Sequence, residues 1–182
     1  MGEISQKLRA LRKSRKMTLK DVADRAGCTS AYISQLEKGR ANPSIATLKR
    51  IASVFDVKII DFFLDNEDEN DEVVVPRGKR VSMGFNRGGT VIESLVKSPE
   101  TKRMQAFHNR IRPGGGSNGE YTHDGEEFGI VLTGELEITV GDRVYHVKEG
   151  DSFYFSSNNP HSFHNRGKRE TIVIWVTSPP SF

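Results

Sequence analysis

Residues 18–39 read Thr18-Leu19-Lys20-Asp21-Val22-Ala23-Asp24-Arg25-Ala26-Gly27-Cys28-Thr29-Ser30-Ala31-Tyr32-Ile33-Ser34-Gln35-Leu36-Glu37-Lys38-Gly39, and the fold turns on how this stretch is parsed. Thr18 and Thr29 each stand where a hydroxyl can accept from an unpaired N–H in the first turn of a helix. Asp21 adds a negative charge beside the first of those N-termini. Gly39 suits a left-handed terminator after the second helix. Ala23, Gly27 and Ile33 supply the small residue, the positive-φ turn and the apolar knob that two crossing helices need. Two short helices joined by a tight turn are therefore expected.

Working outward, Leu19, Val22, Ala23, Ile33 and Leu36 form an inward face. Leu8 and Leu11 extend it on one side, and Leu48, Ile51 and Phe55 on the other. The expectation is an all-α bundle of four or five helices over residues 1–64. This segment has 13 Lys or Arg against 6 Asp or Glu, a net of +7, whereas the whole chain is only +3. A basic head on a nearly balanced chain points to a polyanionic partner.

These residues resemble the Xre-like, phage-repressor type of helix-turn-helix family over residues 4–64. Lys16-Met17-Thr18-Leu19, Ala23, Gly27, Ile33, the Glu37-Lys38-Gly39 helix end and the Asn42-Pro43-Ser44 start of the next helix carry the likeness. The resemblance implies a reader of double-stranded operator DNA whose second helix enters the major groove. Thr29, Ser30, Tyr32 and Gln35 are the expected base-reading residues. Lys16, Lys20, Lys38 and Arg40 are the expected phosphate contacts, adding affinity and salt dependence without sequence information. Two heads spaced one helical turn apart are needed to read a full site, so a homodimer is expected.

Residues 65–72 hold six acids in eight positions, Asp65-Asn66-Glu67-Asp68-Glu69-Asn70-Asp71-Glu72. Like charges without an apolar anchor favour a solvated linker, drawn here over 65–76. From residue 77 to 182 the pattern alternates, as in Leu136, Ile138 and Val140, with turn residues between short runs. Gly141-Asp142 offers a hairpin turn between residues 135–140 and 143–147, and Thr171 to Val176 offers a β-branched closing strand. The expected fold class is thus α+β in separate domains, a helical head followed by an all-β barrel.

Two segments of this half resemble the paired motifs of the cupin superfamily. The first runs Gly115, five residues, Tyr121, one, His123, three, Glu127, six, Gly134; the second contains Gly150, Pro160-His161 and Asn165. The family's usual first histidine is Tyr121 here, and its second Pro-x-Gly is replaced by Ser156-Ser157-Asn158. Alternation along a strand is expected to put Tyr121 and His123 on one face. Glu127 after a turn at Asp124-Gly125-Glu126, and His161 from a later strand, complete two imidazoles and one carboxylate. Such a trio suits iron, manganese, nickel or zinc. Tyr121, with an unperturbed pKa near 10, is a reluctant ligand and is assigned with the trio to a small-molecule effector pocket. The metal-free alternative makes the four residues hydrogen-bonding walls of that pocket. His108, His146 and His164 are left as structural residues.

The order of domains resembles a group of bacterial one-component regulators in which the barrel senses a small molecule, with the likeness nearest to putrescine-utilisation repressors. His123-Asp124-Gly125-Glu126-Glu127, Gly134-Glu135, Pro160-His161-Ser162-Phe163 and Asn165 carry it. A polyamine or amino-acid-related effector follows from that resemblance. The same order is also found in a family of mononuclear iron epoxidases, which leaves a metalloenzyme with a vestigial head as the alternative to a non-enzymatic regulator. The chain has no apolar run of about 18 residues and a charged N-terminus, so no membrane partner and a cytoplasmic location are expected. Cys28, the sole cysteine, excludes an intramolecular disulfide.

Overall fold

The structure is a computed structural model that describes residues 2–63, 73–85 and 88–182, so the acidic run at 65–72 lies outside the described residues. Four α-helices come first: α1 (Gly2–Ser14), α2 (Leu19–Ala26), α3 (Ser30–Glu37) and α4 (Ile45–Phe55). A 3-10 turn follows at Ile60–Phe62. Thr18 and Asp21 form a reciprocal capping box, Asp21 N donating to Thr18 Oγ1 at 3.1 Å and Thr18 N to the Asp21 carboxylate at 2.8 Å. Gly27 closes α2 at φ +61°, a left-handed turn that a side chain would strain. Thr29 Oγ1 accepts from Tyr32 N at 3.2 Å and Ser44 Oγ from Thr47 N at 3.1 Å, so α3 and α4 are capped where their sequences suggest.

The head's core contains Leu8, Val22, Ala23, Ile33, Leu36, Leu48, Ile51 and Phe55. Leu11 and Leu19 are only half-buried and pack against it from the side. Full burial of each large aliphatic or Phe side chain contributes about 1.5–3 kcal/mol. Arg12 of α1 then grips Glu37 at the end of α3 through two bonds, Nε to Oε1 at 2.6 Å and Nη2 to Oε2 at 2.9 Å. That fork sets where α3 lies against α1.

Nine strands follow among the described residues: β1 (Ser82–Phe85), β2 (Thr90–Ser94), β3 (Gln105–Ile111), β4 (Glu126–Thr133), β5 (Glu135–Val140), β6 (Arg143–Lys148), β7 (Ser152–Ser156), β8 (His161–His164) and β9 (Thr171–Ser178). They form a six-stranded sheet, β1-β2-β3-β9-β4-β7, and a three-stranded sheet, β6-β5-β8. Every pairing is antiparallel. The β5–β6 hairpin turns at Gly141-Asp142, with Val140 opposite Arg143. Phe107, Val173 and Trp175 of the larger sheet and Leu136, Ile138 and Phe163 of the smaller one share the core. Phe163 and Trp175 rings meet across it at 5.2 Å.

Candidate functional site: a His-Glu-His centre and a DNA-reading face

Tyr121 and His123 share one side, their rings stacked at 6.2 Å, as the sequence predicts, but they reach it without a regular strand. Gly114, Asn118, Gly119 and Gly125 all take positive φ, which breaks the extended run that alternation requires. The segment instead lies along β8 and the end of β7. Tyr121 exchanges backbone bonds with His161 at 3.1 and 3.0 Å, and His123 N donates to Ser157 O at 3.1 Å. Gly125, at φ +101°, packs so tightly on the Ser178 carbonyl that a Cβ there would collide with it. This turn delivers Glu127 into the barrel from β4.

The result is one compact centre: ligand atoms of His123, Glu127 and His161 all lie within 4.8 Å of one another. Glu127 and His161 are each 1% exposed. Glu127 Oε1 is 2.6 Å from His123 Nε2 and 3.5 Å from His161 Nε2. Its other oxygen accepts from Trp175 Nε1 at 2.8 Å, which fixes the plane of the carboxylate. Tyr121 stands beside the trio, its ring 4.3 Å from that of His161.

The far nitrogens decide what the centre can hold. His123 Nδ1 lies 3.1 Å from Asp124 O and His161 Nδ1 lies 2.9 Å from Asn159 O. A carbonyl carries no proton, so each Nδ1 must donate, and in the neutral imidazole each Nε2 is then a bare lone pair. Both lone pairs face a carboxylate oxygen. Such a convergence of acceptors needs a cation between them, either a metal ion or a second proton on each ring. Ring N–H groups anchored on backbone carbonyls are also the usual outer support of metal-bound histidines. The donor set therefore fits a divalent transition metal.

Electrostatics agree on the charge of the carboxylate. Burial alone would raise the Glu127 carboxyl, but hydrogen bonds and charge from His123 and His161 overcome it and hold it at about 2. Tyr121 moves the other way: burial, aided by Glu127, pushes its phenol well above the usual range, so it stays a neutral hydroxyl. Against the far side of the centre lies an enclosed cavity of about 10 Å³, lined by Asn109, Tyr121, Glu127, Thr177 and five apolar residues including Phe107, Trp175 and Phe182. Asn109 Oδ1 and Thr177 Oγ1 are buried there without hydrogen-bond partners.

On the head, Thr29, Gln35, Lys38, Arg40 and Lys16 are exposed, while Ser30 and Tyr32 are half-buried. The Thr29 hydroxyl is engaged as the α3 cap, and the Tyr32 hydroxyl donates to Asn42 O at 3.3 Å. Lys20 pairs with Asp24 at 2.6 Å in an exposed i,i+4 contact, which solvent leaves worth little. Cys28 is half-buried in the turn. Of the remaining histidines, His108 lies 3.5 Å from Glu93 and His146 4.0 Å from Glu137, away from the trio.

Sequence reasoning missed four side chains. Trp175 was read only as part of a strand; Asn109 and Thr177 reach the cavity through β3 and β9, whose register the sequence does not reveal. Lys49 has a local signal, since it falls among Ile45, Ala46, Leu48, Ile51, Ala52 and Phe55 on the buried side of α4.

Two family models match the chain, the helix-turn-helix at residues 8–62 and the cupin domain at residues 107–177. It is 25% identical over 178 residues to the HTH-type transcriptional regulator PuuR of Escherichia coli, covering 97% of this chain and 95% of that protein. The HTH-type transcriptional regulator SutR of the same organism is 24% identical over 169 residues, 91% of this chain and 89% of the other. Among solved structures, an HTH_3 family transcriptional regulator from Vibrio cholerae matches with a TM-score of 0.74 at 21% identity, over 98% of this chain and 96% of that one. The chain therefore carries a helix-turn-helix domain followed by a cupin domain, and along nearly its whole length it is similar to HTH-type transcriptional regulators.

Proposed function

We propose that this protein is a sequence-specific, DNA-binding transcriptional repressor, working as a homodimer, whose barrel senses a small amine-bearing metabolite at a divalent-metal centre. The observation that carries the sensing half is the convergence of two imidazole Nε2 atoms on one buried carboxylate, an arrangement that calls for a cation between them. A bound iron, manganese, nickel or zinc ion would supply a Lewis-acidic anchor for one end of an effector. His123, Glu127 and His161 would hold it, and Trp175 would orient Glu127. The walls beyond offer acceptors, Asn109 Oδ1 and Thr177 Oγ1, among aromatic faces, a lining that suits an ammonium group of a polyamine or amino-acid-related metabolite.

The DNA half rests on the complete capping pattern of α2 and α3, the +7 charge of residues 1–64 and the names of the full-length relatives. A metalloenzyme built on the same trio would have no need of a basic, well-capped head. For the homodimer, the outer face of β4 and β7 carries exposed Phe128, Leu132 and Tyr154. Such a patch is the kind that protein contacts cover.

Elemental analysis of the purified protein with thermal-shift titration by putrescine and related amines tests the reading. Stoichiometric metal lost in His123→Ala and Glu127→Ala, together with amine-dependent stabilisation, is the expected result. A metal-free protein indifferent to amines would overturn the sensing half. An unchanged preference for operator over scrambled DNA in a Thr29→Ala, Ser30→Ala double variant would overturn the base-reading assignment.

A further inference from the structure

Lys49 belongs to the head but lives in the barrel. It is 8% exposed on α4, and its ammonium donates to Ser181 O at 3.3 Å. It sits 4.8 Å from the centroid of the Phe182 ring and 5.3 Å from that of Tyr121. Those same two rings line the enclosed cavity beside Glu127. The two rings that seat the head's lysine are therefore also walls of the candidate ligand cavity.

We propose that Lys49 is a reversible latch through which the DNA-binding head reads whether the barrel cavity is filled. This rests on the sensing role proposed above. The cavity's volume of about 10 Å³ admits a single water at most, so any larger occupant must displace a wall. Apart from Tyr121, which is bonded to His161 on both sides, and Phe182, every lining residue lies in a strand ladder, Glu127 in β4 and Phe163 in β8 included. Phe182 lies beyond the end of β9 and is held by side-chain contacts, with the Phe107 ring at 5.3 Å and with Lys49. It is the wall that gives, and Lys49 loses part of its seat when it moves.

The choice of residue supports a latch over a fixed joint. Burying an ammonium carries a desolvation cost that a methionine of similar length would avoid, so lysine makes the seam weaker than packing alone requires. Burial accordingly pulls the Lys49 amine down to about 7, with Glu127 opposing. Elsewhere along the seam Ala46 N donates to Ser117 O at 3.4 Å, Ala46 packs against Gly119, and the Phe63 and Phe85 rings meet at 6.0 Å. A cleft of about 280 Å³ opens between Lys49, Arg50 and Ser53 on α4 and Glu120, Tyr121, Thr122 and Pro160 of the barrel. A joint seated on a buried ammonium beside an open cleft is one that a ligand's differential affinity can shift.

Amide hydrogen exchange on the full-length protein tests this, comparing wild type with Phe182→Ala and Lys49→Met, and reading α4 and residues 117–122 against β5 and β6 as internal reference. Phe182→Ala is expected to speed α4 exchange at least fivefold with the reference unchanged. Lys49→Met is expected to slow exchange at α4 and 117–122 by a similar factor. Unchanged α4 exchange in Phe182→Ala, or faster exchange in Lys49→Met, overturns the latch. If the reference strands show that Phe182→Ala unfolds the barrel, Phe182→Leu replaces it with the same expectation. Putrescine is then added, with its binding measured separately by equilibrium dialysis. Binding without any change at α4 in wild type also overturns the latch. No binding counts against the proposed effector class alone, and the variant comparison still decides the latch.

Discussion

The face of α3 and the centre in the barrel are built on opposite plans. The first presents Gln35 on α3, with Lys38 and Arg40 just past its end, from a helix whose position is set elsewhere, by Arg12, Glu37 and the packing of Ile33 and Leu36. The second buries its working atoms, so the groups that would bind are also groups that hold the barrel together. Function and stability are separable on the head and fused in the barrel. A substitution at Gln35, Lys38 or Arg40 should change DNA binding in a molecule that melts normally, whereas one at the trio should change both.

Glu127→Ala is the severest test of that contrast. It strips two imidazoles and the Trp175 N–H of their common partner, and breaking a buried charged network costs about 3–5 kcal/mol. Urea unfolding followed by far-ultraviolet circular dichroism should register that loss; a loss below about 1 kcal/mol would mean the centre is not a structural keystone. Arg12→Ala comes next. It leaves the nearly buried Glu37 carboxylate without its fork, at an expected cost of about 2 kcal/mol in the same assay. Operator affinity should also fall, though Arg12 is a positioning residue; unchanged affinity would free α3 from this support.

Gln35→Ala should leave stability within about 0.5 kcal/mol of wild type. On an operator selected from random duplexes it should reduce discrimination against scrambled DNA by about tenfold, equivalent to about 1.4 kcal/mol. A uniform loss on both duplexes would move Gln35 from base reading to general contact. Lys38→Ala is the mildest, weakening all DNA alike and lowering the salt slope by about 1 in fluorescence anisotropy. Any sequence preference in its effect would reverse the assignment.

Acid separates the two regions without mutation. In metal-stripped protein the Glu127 carboxyl is held at about 2, below its ordinary 4.5, so its stabilisation is complete above the unfolded value. It is lost as pH falls from 4.5 toward 2. Wild type should thus lose stability more steeply across that window than Glu127→Gln. Equal slopes would mean that His123 and His161 do not hold the carboxylate charged.

How far each region is legible in the sequence follows from the same difference. Capping and helical periodicity act over four residues, so Thr18, Gly27, Thr29 and Ser44 announce the helices that they bound. The trio is legible as a spacing, because His123 and Glu127 are separated by one turn and the Pro160-His161 motif is distinctive. Its surroundings are not. Asn109 and Thr177 enter the cavity only through a strand register spanning more than sixty residues, with Phe107 opposite Trp175. Strand alternation puts Tyr121 and His123 on the correct common side, their rings stacked at 6.2 Å, although four positive-φ residues nearby replace pleat with loop.

One consequence of the Trp175 contact is practical. It is the chain's only tryptophan, and its indole N–H rests on the carboxylate at the heart of the barrel. Excited indoles respond to charge and hydrogen bonding at that nitrogen, so the emission of the unlabelled protein reports from a single known spot. With excitation confined to tryptophan, colour and intensity would register events at Glu127 without a signal from Tyr32 in the head, which makes the molecule its own optical gauge of what the barrel contains.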